Sequence, residues 1–327
     1  MMISNSFGLK AKAKNYIHIN TLDDLTFLET LDDEEILILG AGTNVILSDY
    51  FNGTVIGVNL KGIETNNKGI ETNNNFISVG AGLDWADLIE YCLTNELHGI
   101  ENLTHIPGSV GAAPVQNIGA YGVEISSFIS SIECFNLKTK KYETLDNDQC
   151  QFKYRGSIFK LKDFVILKVN FIFNKSFEPN LSYPALSNFL KDNSIDASSI
   201  TPRMLSESVK DIRNSKLPDP KLQPNVGSIF KNPIVRTNDF DHAFLDGHRW
   251  DQDDEYTKLS SARLIELIKS DLSIPDTLRF YEKHSLVLIN NGGASFVEVT
   301  NLLYQIKSKI LEKFKIELEI EPEIISS

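Results

Sequence analysis

The feature that most constrains this chain is a glycine-rich stretch without any charged side chain. Residues 106–123 read IPGSVGAAPVQNIGAYGV, with four glycines and two prolines. Glycine lets a ligand approach the backbone itself, and an uncharged lining suits an uncharged heterocycle beside a phosphate that backbone amides bind. The stretch therefore predicts a ligand-binding loop. The alternative is a buried loop packed on a sheet, which would not require four glycines and the polar Gln116 and Asn117.

A second glycine-rich turn, GAGTN at 40–44, follows a predicted strand over 35–39. A dinucleotide-binding fingerprint would need a third glycine and would open a helix. Here VIL at 45–47 follows, which is typical of a strand, so that interpretation fails. The backbone amides of such a turn can form an anion-binding nest, and the alternative is a tight turn without a ligand.

The order of the other predicted elements indicates a mixed chain of helices and strands in about three segments. Helices are expected over 23–31, 85–95, 258–269 and 295–314, and strands over 54–60, 76–79, 285–289 and 316–325, with a strand-rich stretch over 129–173. A tandem copy of GIETNN at 62–67 and 69–74 predicts the polar tip of a hairpin. The segment boundaries fall near residues 65 and 210.

The charge balance argues against nucleic-acid and membrane partners. The formal net charge is −12 at pH 7, whereas proteins that bind nucleic acids or anionic membranes carry clusters of surplus Lys and Arg. Three cysteines without a C-x-x-C pair favour reduced thiols. Because no apolar segment is typical of a signal peptide or a membrane span, we expect a cytoplasmic location.

No metal site is expected, but one basic segment is a candidate anion site. The histidines show no metal-ligand spacing, and the acidic segment 238–255 lacks the spacing of glycine and terminal glutamate that a calcium loop requires. Residues 203–231 hold six basic and three acidic side chains, a net of +3. A small anionic ligand such as a nucleotide diphosphate would explain this surplus, and so would an ordinary charged surface.

Several longer motifs, in order along the chain, resemble those of one family. They are NSFGL at 5–9, LGAGTNVILSD at 39–49, GAGLDW at 80–85, IPGSVGAAPVQNIGAYGVE at 106–124, YRGSIFK at 154–160, KLPDP at 216–220, GSIFKNP at 227–233, HSLVLIN at 284–290 and LEIEPEI at 318–324. By these motifs the chain resembles the UDP-N-acetylenolpyruvoylglucosamine reductase family nearly end to end. LSYPAL at 181–186 resembles the tyrosine loop of one of its two subclasses. The chain departs from the family pattern over 262–282, where Ala262 and Arg263 replace a common Gly-Trp pair.

The resemblance implies a fold of the α+β class. The expected architecture is the FAD-binding, cresol-methylhydroxylase-like flavin fold with two subdomains, followed by a third, α/β, substrate-binding domain. The first FAD-binding subdomain would comprise residues 1–65, with the C-terminal strand 316–327 as a candidate addition to it. The second would comprise 66–210, and the substrate-binding domain 211–327.

The resemblance also implies the cofactors, the substrate and the site residues. FAD would be bound, NADPH would be the reductant, and the enolpyruvyl ether of UDP-N-acetylglucosamine would be reduced to UDP-N-acetylmuramate for peptidoglycan synthesis, without an obligatory protein partner. The FAD contacts would come from Gly40, Ala41, Gly42, Thr43, Asn44, Pro107, Gly108, Ser109, Gly111, Ala112, Asn117, Gly119, Ala120 and Tyr121. The catalytic residues would be Arg155, Ser228 and Glu323. The uridine diphosphate would be held by Tyr183, Arg213, Lys216, Asn232 and His284.

In the implied reaction, Arg155 would hold the substrate carboxylate with its planar guanidinium group, and Ser228 would donate the proton that completes the product. Glu323 would assist Arg155 as a neutral acid. The alternative is an exposed carboxylate on one strand face with Glu317, Glu319 and Glu321. Three other functions stay open: another FAD-dependent oxidoreductase of the same fold, a flavin-binding protein without catalysis, and a nucleotide-sugar transferase without flavin.

Overall fold

The computed structural model describes residues 1–31, 35–65, 75–237, 245 and 247–326. These residues group into two compact units. The larger unit consists of Ala13–Ala41 and Asn52–Ser215, and the smaller unit consists of Met1–Lys12, Gly42–Phe51 and Lys216–Ser327. The three predicted domains, with boundaries at 65 and 210, stay a prediction.

The strands and helices are numbered in chain order. The strands are β1 (Met2–Ile3), β2 (Ala11–Ile19), β3 (Ile36–Ile38), β4 (Val45–Leu47), β5 (Tyr50–Val58), β6 (Ile63–Thr65), β7 (Phe76–Gly80), β8 (Gly119–Ala120), β9 (Val123–Glu124), β10 (Ile129–Asn136), β11 (Lys141–Asp146), β12 (Phe164–Ile172), β13 (Ile234–Arg236), β14 (Arg249–Asp251), β15 (Tyr256–Leu259), β16 (Leu278–Tyr281), β17 (His284–Asn290) and β18 (Glu323–Ile325). The helices are α1 (Thr26–Glu29), α2 (Trp85–Thr94), α3 (Pro184–Asp192), α4 (Pro202–Lys216), α5 (Ser261–Glu266) and α6 (Phe296–Phe314).

An antiparallel sheet with the strand order β11-β10-β12-β7-β6 forms the centre of the larger unit. Its middle strand, β12, has the nearly continuous apolar sequence FVILKVNFI because both of its faces are buried. Val165 and Leu167 pack in one apolar cluster, with residues of β2 and β5. Val169 and Phe171 pack in another, with the buried residues of α2.

Helix α2 confirms the helix that apolar spacing predicts over 85–95. Asp84 caps it, because its carboxylate accepts a hydrogen bond from the Ala86 N–H at 2.8 Å. Its apolar face, with Trp85 and Leu88, is buried, and the Trp85 indole N–H donates to the Leu103 carbonyl at 2.9 Å. The helix therefore fixes the turn at 81–85, on which the glycine-rich stretch packs.

The smaller unit has a separate apolar core around α6, which confirms the helix predicted over 295–314. Ser295 and Glu298 form a capping box at its start. Its buried face, which includes Leu302 and Ile306, belongs to the same apolar cluster as Ile229 of the 227–233 motif. Strand β18 pairs in parallel with β4, with Glu323 opposite Val45, and β16 pairs antiparallel with β17.

Two predicted elements of the smaller unit are wrong in extent. The helix expected over 258–269 is only α5, because residues 256–259 form β15 between β13 and β14. The closing strand expected over 316–325 is paired as a strand only in β18; the side chains from 316 to 319 alternate between buried and exposed as expected. In the larger unit, the tip of the GIETNN repeat, 66–74, lies outside the described residues, and β6 before it pairs antiparallel with β7.

The described residues contain neither a membrane-spanning helix nor a metal-binding cluster. None of their helices is both long and apolar enough to cross a membrane. No group of three or more His, Cys, Asp or Glu side chains among them is placed to hold a metal ion.

Candidate active site

The glycine-rich stretch lies on the turn that precedes α2. The Val110 N–H donates to the Leu83 carbonyl at 2.9 Å, and the Gly111 N–H donates to the Ala81 carbonyl at 2.8 Å. A Cβ atom on Gly111 would lie only 2.5 Å from the Cβ atom of Ala81. Packing within the protein is therefore enough to require glycine at this position.

Gly40, which follows β3, lies against the same stretch. A Cβ atom on Gly40 would lie 3.2 Å from both the Ala112 Cβ and the Ser109 Oγ atoms. Small side chains and backbone thus line this part of the larger unit, which is the kind of surface that a flat cofactor can approach closely.

The end of the stretch is a tight hairpin that places Tyr121. Strands β8 and β9 pair Gly119 with Glu124, and Tyr121 and Gly122 form the two-residue tip with φ angles of 49° and 84°. Positive φ at both tip residues gives the turn type whose twist suits a two-residue hairpin. The Tyr121 ring packs edge-on against the Tyr183 ring at a centroid distance of 5.4 Å.

Arg155 sits on a second tight turn. Lys153 and Gly156 exchange two backbone hydrogen bonds of 3.0 Å around it, and its φ angle is 53°. Its Nη2 atom donates to the Gly119 carbonyl at 2.9 Å. The guanidinium group of Arg155 is therefore tied to the β8–β9 hairpin.

Two arginines and two tyrosines of the larger unit interact electrostatically. Burial raises the pKa of Tyr121, and the charge of Arg213 opposes that shift. Burial also raises the pKa of Tyr183, which Arg155 opposes. Burial lowers the pKa of Arg213. The charge of Arg155 lowers this pKa further, whereas Tyr121 raises it. Two guanidinium groups that repel each other beside two phenol donors are a candidate receptor for an anion.

Backbone contacts hold these side chains in place. Arg213 Nε donates to the His105 carbonyl at 3.1 Å. The buried Asn102 donates its amide hydrogens to the carbonyls of Tyr121 and Asn180, at 2.8 and 2.9 Å, and so joins the hairpin to the tyrosine loop. Nothing in the sequence pattern distinguished Asn102. Tyr183 remains 38% exposed, so a ligand can reach it.

In the smaller unit, the turn at 42–44 is fixed by close packing. Gly42 has a φ angle of 66°, and a Cβ atom there would lie 2.6 Å from the Ser4 carbonyl oxygen. The Asn44 carbonyl accepts from the Glu323 N–H at 3.0 Å. The expected anion-binding nest at this turn, including Thr43, stays a prediction. The Glu323 side chain is exposed, as the alternative of an exposed strand carboxylate expects.

Ser228 lies in an extended segment. It bridges Val287 of β17, and the next residue, Ile229, donates to the Leu286 carbonyl at 2.9 Å and accepts from the Glu321 N–H at 3.1 Å. The preceding Gly227 has a φ angle of 73°, and no described atom lies within 4 Å of the place where its Cβ would be. Ser228 is therefore a half-buried residue on a segment held by backbone hydrogen bonds, and it follows a glycine with open space at its Cβ position.

Lys216 and His284 interact in the same unit. Burial lowers the pKa of His284, and the charge of Lys216 lowers it further, while Glu266 acts in the opposite direction. His284 Nδ1 accepts a hydrogen bond from the Leu286 N–H at 3.3 Å, so the neutral ring carries its proton on Nε2. This pair therefore offers one cation and one neutral donor.

One further residue of this region, Glu266, was missed by sequence reasoning. Glu266 accepts from the Ser285 hydroxyl and pairs with Arg263, both at 3.3 Å. Asn232, which the resemblance places at the uridine diphosphate, accepts from the Ser261 N–H at 3.0 Å with its Oδ1 atom. The Asn232 carbonyl oxygen is thus used within the protein, and the NH₂ group is the part of the amide that can donate to a ligand.

The predicted site residues fall into two groups. In the larger unit, the structure brings Gly119, Ala120, Tyr121, Arg155, Tyr183 and Arg213 together, with Gly40, Ala41, Pro107, Gly108, Ser109, Gly111, Ala112 and Asn117 on the adjoining backbone. In the smaller unit it brings Lys216 to His284 and places Ser228, Asn232 and Glu323 on one connected strand system with 42–44. The assignment of these residues to ligands stays a prediction.

The class of the protein follows from its fold and from comparison with known domains. Residues 30–140 match the family model described as an FAD binding domain. The tightly packed glycines and small side chains at 40 and 109–112 lie in this range and fit such a cofactor. The chain is therefore an FAD-binding oxidoreductase, and the predicted α+β fold with an FAD-binding domain is confirmed.

The family is shown by the remaining comparisons. Residues 219–325 match the UDP-N-acetylenolpyruvoylglucosamine reductase, C-terminal domain. The UDP-N-acetylenolpyruvoylglucosamine reductase of Neisseria gonorrhoeae is 38% identical over 97% of this chain and 94% of its own length, and that of Shewanella sediminis is 36% identical over 99% and 94%. The chain belongs to the UDP-N-acetylenolpyruvoylglucosamine reductase family. A crystal structure of such a reductase from Thermus caldophilus has the same fold, with a TM-score of 0.65 and 18% identity over 98% of this chain and 96% of its own.

Proposed function

We propose that the chain reduces the enolpyruvyl ether of UDP-N-acetylglucosamine to UDP-N-acetylmuramate, a precursor of peptidoglycan, with NADPH as reductant. The observation that carries this proposal is the anion receptor of Arg155, Arg213, Tyr121 and Tyr183 in the unit that contains most of the FAD-binding domain. The substrate carries two kinds of anion, a carboxylate at the reacting end and a diphosphate. FAD, when bound, supplies hydride transfer between NADPH and the alkene of the substrate.

Arg155 is proposed to bind the substrate carboxylate. Its guanidinium group donates to the Gly119 carbonyl with Nη2, which fixes the orientation of the planar fork. A fixed cation next to the carboxylate stabilises the negative charge that spreads into this group as the alkene is reduced.

Ser228 is proposed to donate the proton that completes the product. The hydroxyl lies on a segment held on both sides by backbone hydrogen bonds, beside a glycine with open space above it. Glu323 is proposed to assist at the carboxylate. Because its side chain is exposed, this role requires that the bound substrate removes it from water.

The uridine diphosphate is proposed to be held by Tyr183, Arg213, Lys216, Asn232 and His284. Arg213 and Lys216 supply positive charge, and Tyr183, the Asn232 amide and the His284 Nε2–H supply neutral donors. The pyrophosphate of FAD is proposed to contact the backbone at 40–44, and its ring the backbone from Pro107 to Tyr121.

The protein is proposed to work in the cytoplasm. Cys92, Cys134 and Cys150 are all buried and free, and burial raises the pKa of each thiol, to about 12 for Cys134 and Cys150. Such thiols are unreactive packing groups, and unpaired cysteines are usual in a reducing compartment.

The visible spectrum of the purified protein tests the proposed function. We expect a yellow protein whose visible absorbance is bleached by NADPH under anaerobic conditions and restored by the enolpyruvyl substrate, with UDP-N-acetylmuramate as product. UDP-N-acetylglucosamine without the enolpyruvyl group is the matched control, because it carries the same nucleotide but no alkene. A yellow protein that NADPH does not bleach would indicate a flavin-binding protein without this activity, and a colourless one would favour a transferase.

A further inference from the structure

Asn117 is buried, and its side chain is engaged entirely within the protein. Its Nδ2 atom donates to Glu124 Oε2 at 2.8 Å and to the Lys153 carbonyl at 3.3 Å. Its Oδ1 atom accepts from the Ser126 N–H at 3.0 Å. Since a primary amide has two hydrogens and one carbonyl oxygen, each of its polar atoms has a protein partner. The Asn117 side chain is thus directed at the protein, and its backbone N–H also donates within the protein, to the Pro114 carbonyl at 3.2 Å.

Two of the three partners of Asn117, Glu124 and Lys153, belong to the hairpin and the turn that fix Arg155. Lys153 is the first residue of the turn on which Arg155 sits, and its backbone exchanges two hydrogen bonds with Gly156 at the other end of that turn. Glu124 pairs with Gly119 in the β8–β9 hairpin, and the Gly119 carbonyl accepts the hydrogen bond from Arg155. A Cβ atom on Gly119 would lie 3.0 Å from Arg155 Nη1 and 3.1 Å from Glu124 Cγ.

The backbone of Arg155 needs this support. Its φ angle of 53° lies in the left-handed region, which is unfavourable for a residue with a Cβ atom and persists only where the surroundings hold it. Asn117 itself has a φ angle of 44°, a conformation that asparagine tolerates better than most residues.

We infer that Asn117 and Glu124 are positioning residues that hold the Arg155 turn against the β8–β9 hairpin, so that the guanidinium group is fixed for its ligand. The inference deepens the proposed function, since it rests on Arg155 as the group that binds the substrate carboxylate. Asn117 then acts through Arg155, and its amide is not a contact of the flavin.

The first test replaces the amide. Asn117→Ala removes both donors and the acceptor, so we expect a looser Arg155 turn and a slower substrate half-reaction. A displacement of about 1 Å in a reacting group costs on the order of 100-fold in rate, and we expect a loss of about 10- to 100-fold. The NADPH half-reaction should be slowed less than the substrate half-reaction, because it does not require a bound carboxylate. Hydrogen exchange of the backbone at 153–156 should become faster.

The second test concerns the carboxylate partner. Glu124→Gln keeps a carbonyl oxygen that can accept from Asn117 Nδ2, so it should retain most of the substrate half-reaction. Glu124→Ala removes that acceptor and should behave as Asn117→Ala does. This variant also serves if Asn117→Ala does not fold. Equal losses in Glu124→Gln and Glu124→Ala would overturn the role assigned to the hydrogen bond.

Asn136 provides the matched control. It is also buried, its Nδ2 atom donates to Glu143 at 3.0 Å, and its Oδ1 atom accepts the backbone N–H groups of Lys138 and Thr139. It belongs to the β10–β11 hairpin and not to the Arg155 turn. Asn136→Ala should lower stability while leaving both half-reactions and the hydrogen exchange at 153–156 unchanged.

A double-mutant cycle separates positioning from other roles. If Asn117 acts through Arg155, then Asn117→Ala should slow the substrate half-reaction much less in an Arg155→Ala background than in wild type. Equal factors in the two backgrounds would overturn the inference, as would loss of flavin from Asn117→Ala with normal rates after reconstitution. Failure of the proposed function is distinct, because the wild-type protein itself would then lack one of the two half-reactions.

Discussion

Gly111→Ala is the substitution for which the structure gives the clearest magnitude. The added Cβ atom would lie 2.5 Å from the Ala81 Cβ and 3.1 Å from the Ala81 carbonyl oxygen. Carbon atoms in ordinary contact are about 3.5–4.0 Å apart, so the overlap is about 1–1.5 Å. Neither atom is the end of a flexible side chain, so the backbone has to move, and the 2.8 Å hydrogen bond from the Gly111 N–H to Ala81 is strained or lost.

Overpacking of this kind costs about 1–3 kcal/mol. In a unit of this size each kcal/mol lowers Tm by about 2–4 °C, so we expect a decrease of about 2–12 °C. Because residues 108–112 lie within the backbone that is proposed to contact the flavin ring, the visible absorbance per protein should also fall. Gly57→Ala is the control, since the added Cβ would meet only the side-chain ends of Tyr16 and His18, at 3.1–3.3 Å. If Gly111→Ala kept the Tm and flavin content of wild type, the inferred close packing of Gly111 on Ala81 would be wrong.

Three other predictions concern the smaller unit. Ser228→Ala should leave the NADPH half-reaction near normal and slow the substrate half-reaction by about 10²–10⁴-fold, the usual contribution of a positioned acid; an unchanged rate in stopped-flow absorbance would exclude the role. Lys216→Met should raise the pKa of His284, because it removes a charge that lowers it, and NMR titration would detect this. As pH falls, His284 of the unfolded chain takes up a proton near its usual pKa of about 6.5, whereas the lowered pKa in the folded chain delays this uptake, so the folded state loses stability. Because Lys216→Met brings the folded pKa closer to the unfolded one, the variant should lose less stability than wild type in this pH range. Glu323→Gln should keep more of the substrate half-reaction than Glu323→Ala, and equal, severe losses would point to a required carboxylate.

Helices with a strong apolar period could be predicted from the sequence, and segments held by distant strands could not. Helices α2 and α6 have regularly spaced apolar residues and a capping side chain, so local chemistry alone defines them. Residues 258 and 259 were expected to begin a helix, but they belong to β15, the middle strand of a three-stranded sheet. Their conformation depends on β13 and β14, and no local pattern contains that information.

The candidate site divides in the same way. The uncharged stretch at 106–123 indicated a ligand loop, yet the sequence could not show that Gly111 serves the packing on Ala81. The cofactor contact expected for Asn117 stays a prediction, and the sequence could not show that its side chain binds Glu124, Lys153 and Ser126. Glycine and asparagine are favoured in turns for several physical reasons, and the structure is needed to show which reason applies at a given position.

Four of the residues with left-handed backbone in the larger unit lie where its charged and phenolic groups meet. His105, Asn117, Tyr121 and Arg155 have φ angles of 64°, 44°, 49° and 53°. Left-handed backbone at such residues costs on the order of 1–3 kcal/mol each, and less for asparagine. Each conformation has an identifiable support: the His105 carbonyl accepts from Arg213, Asn117 binds both turns, Tyr121 lies at the tip of a two-residue hairpin, and Arg155 donates to Gly119. Groups fixed in this way would lose little further freedom on binding the proposed anion, so the support of these conformations is consistent with a preorganised site.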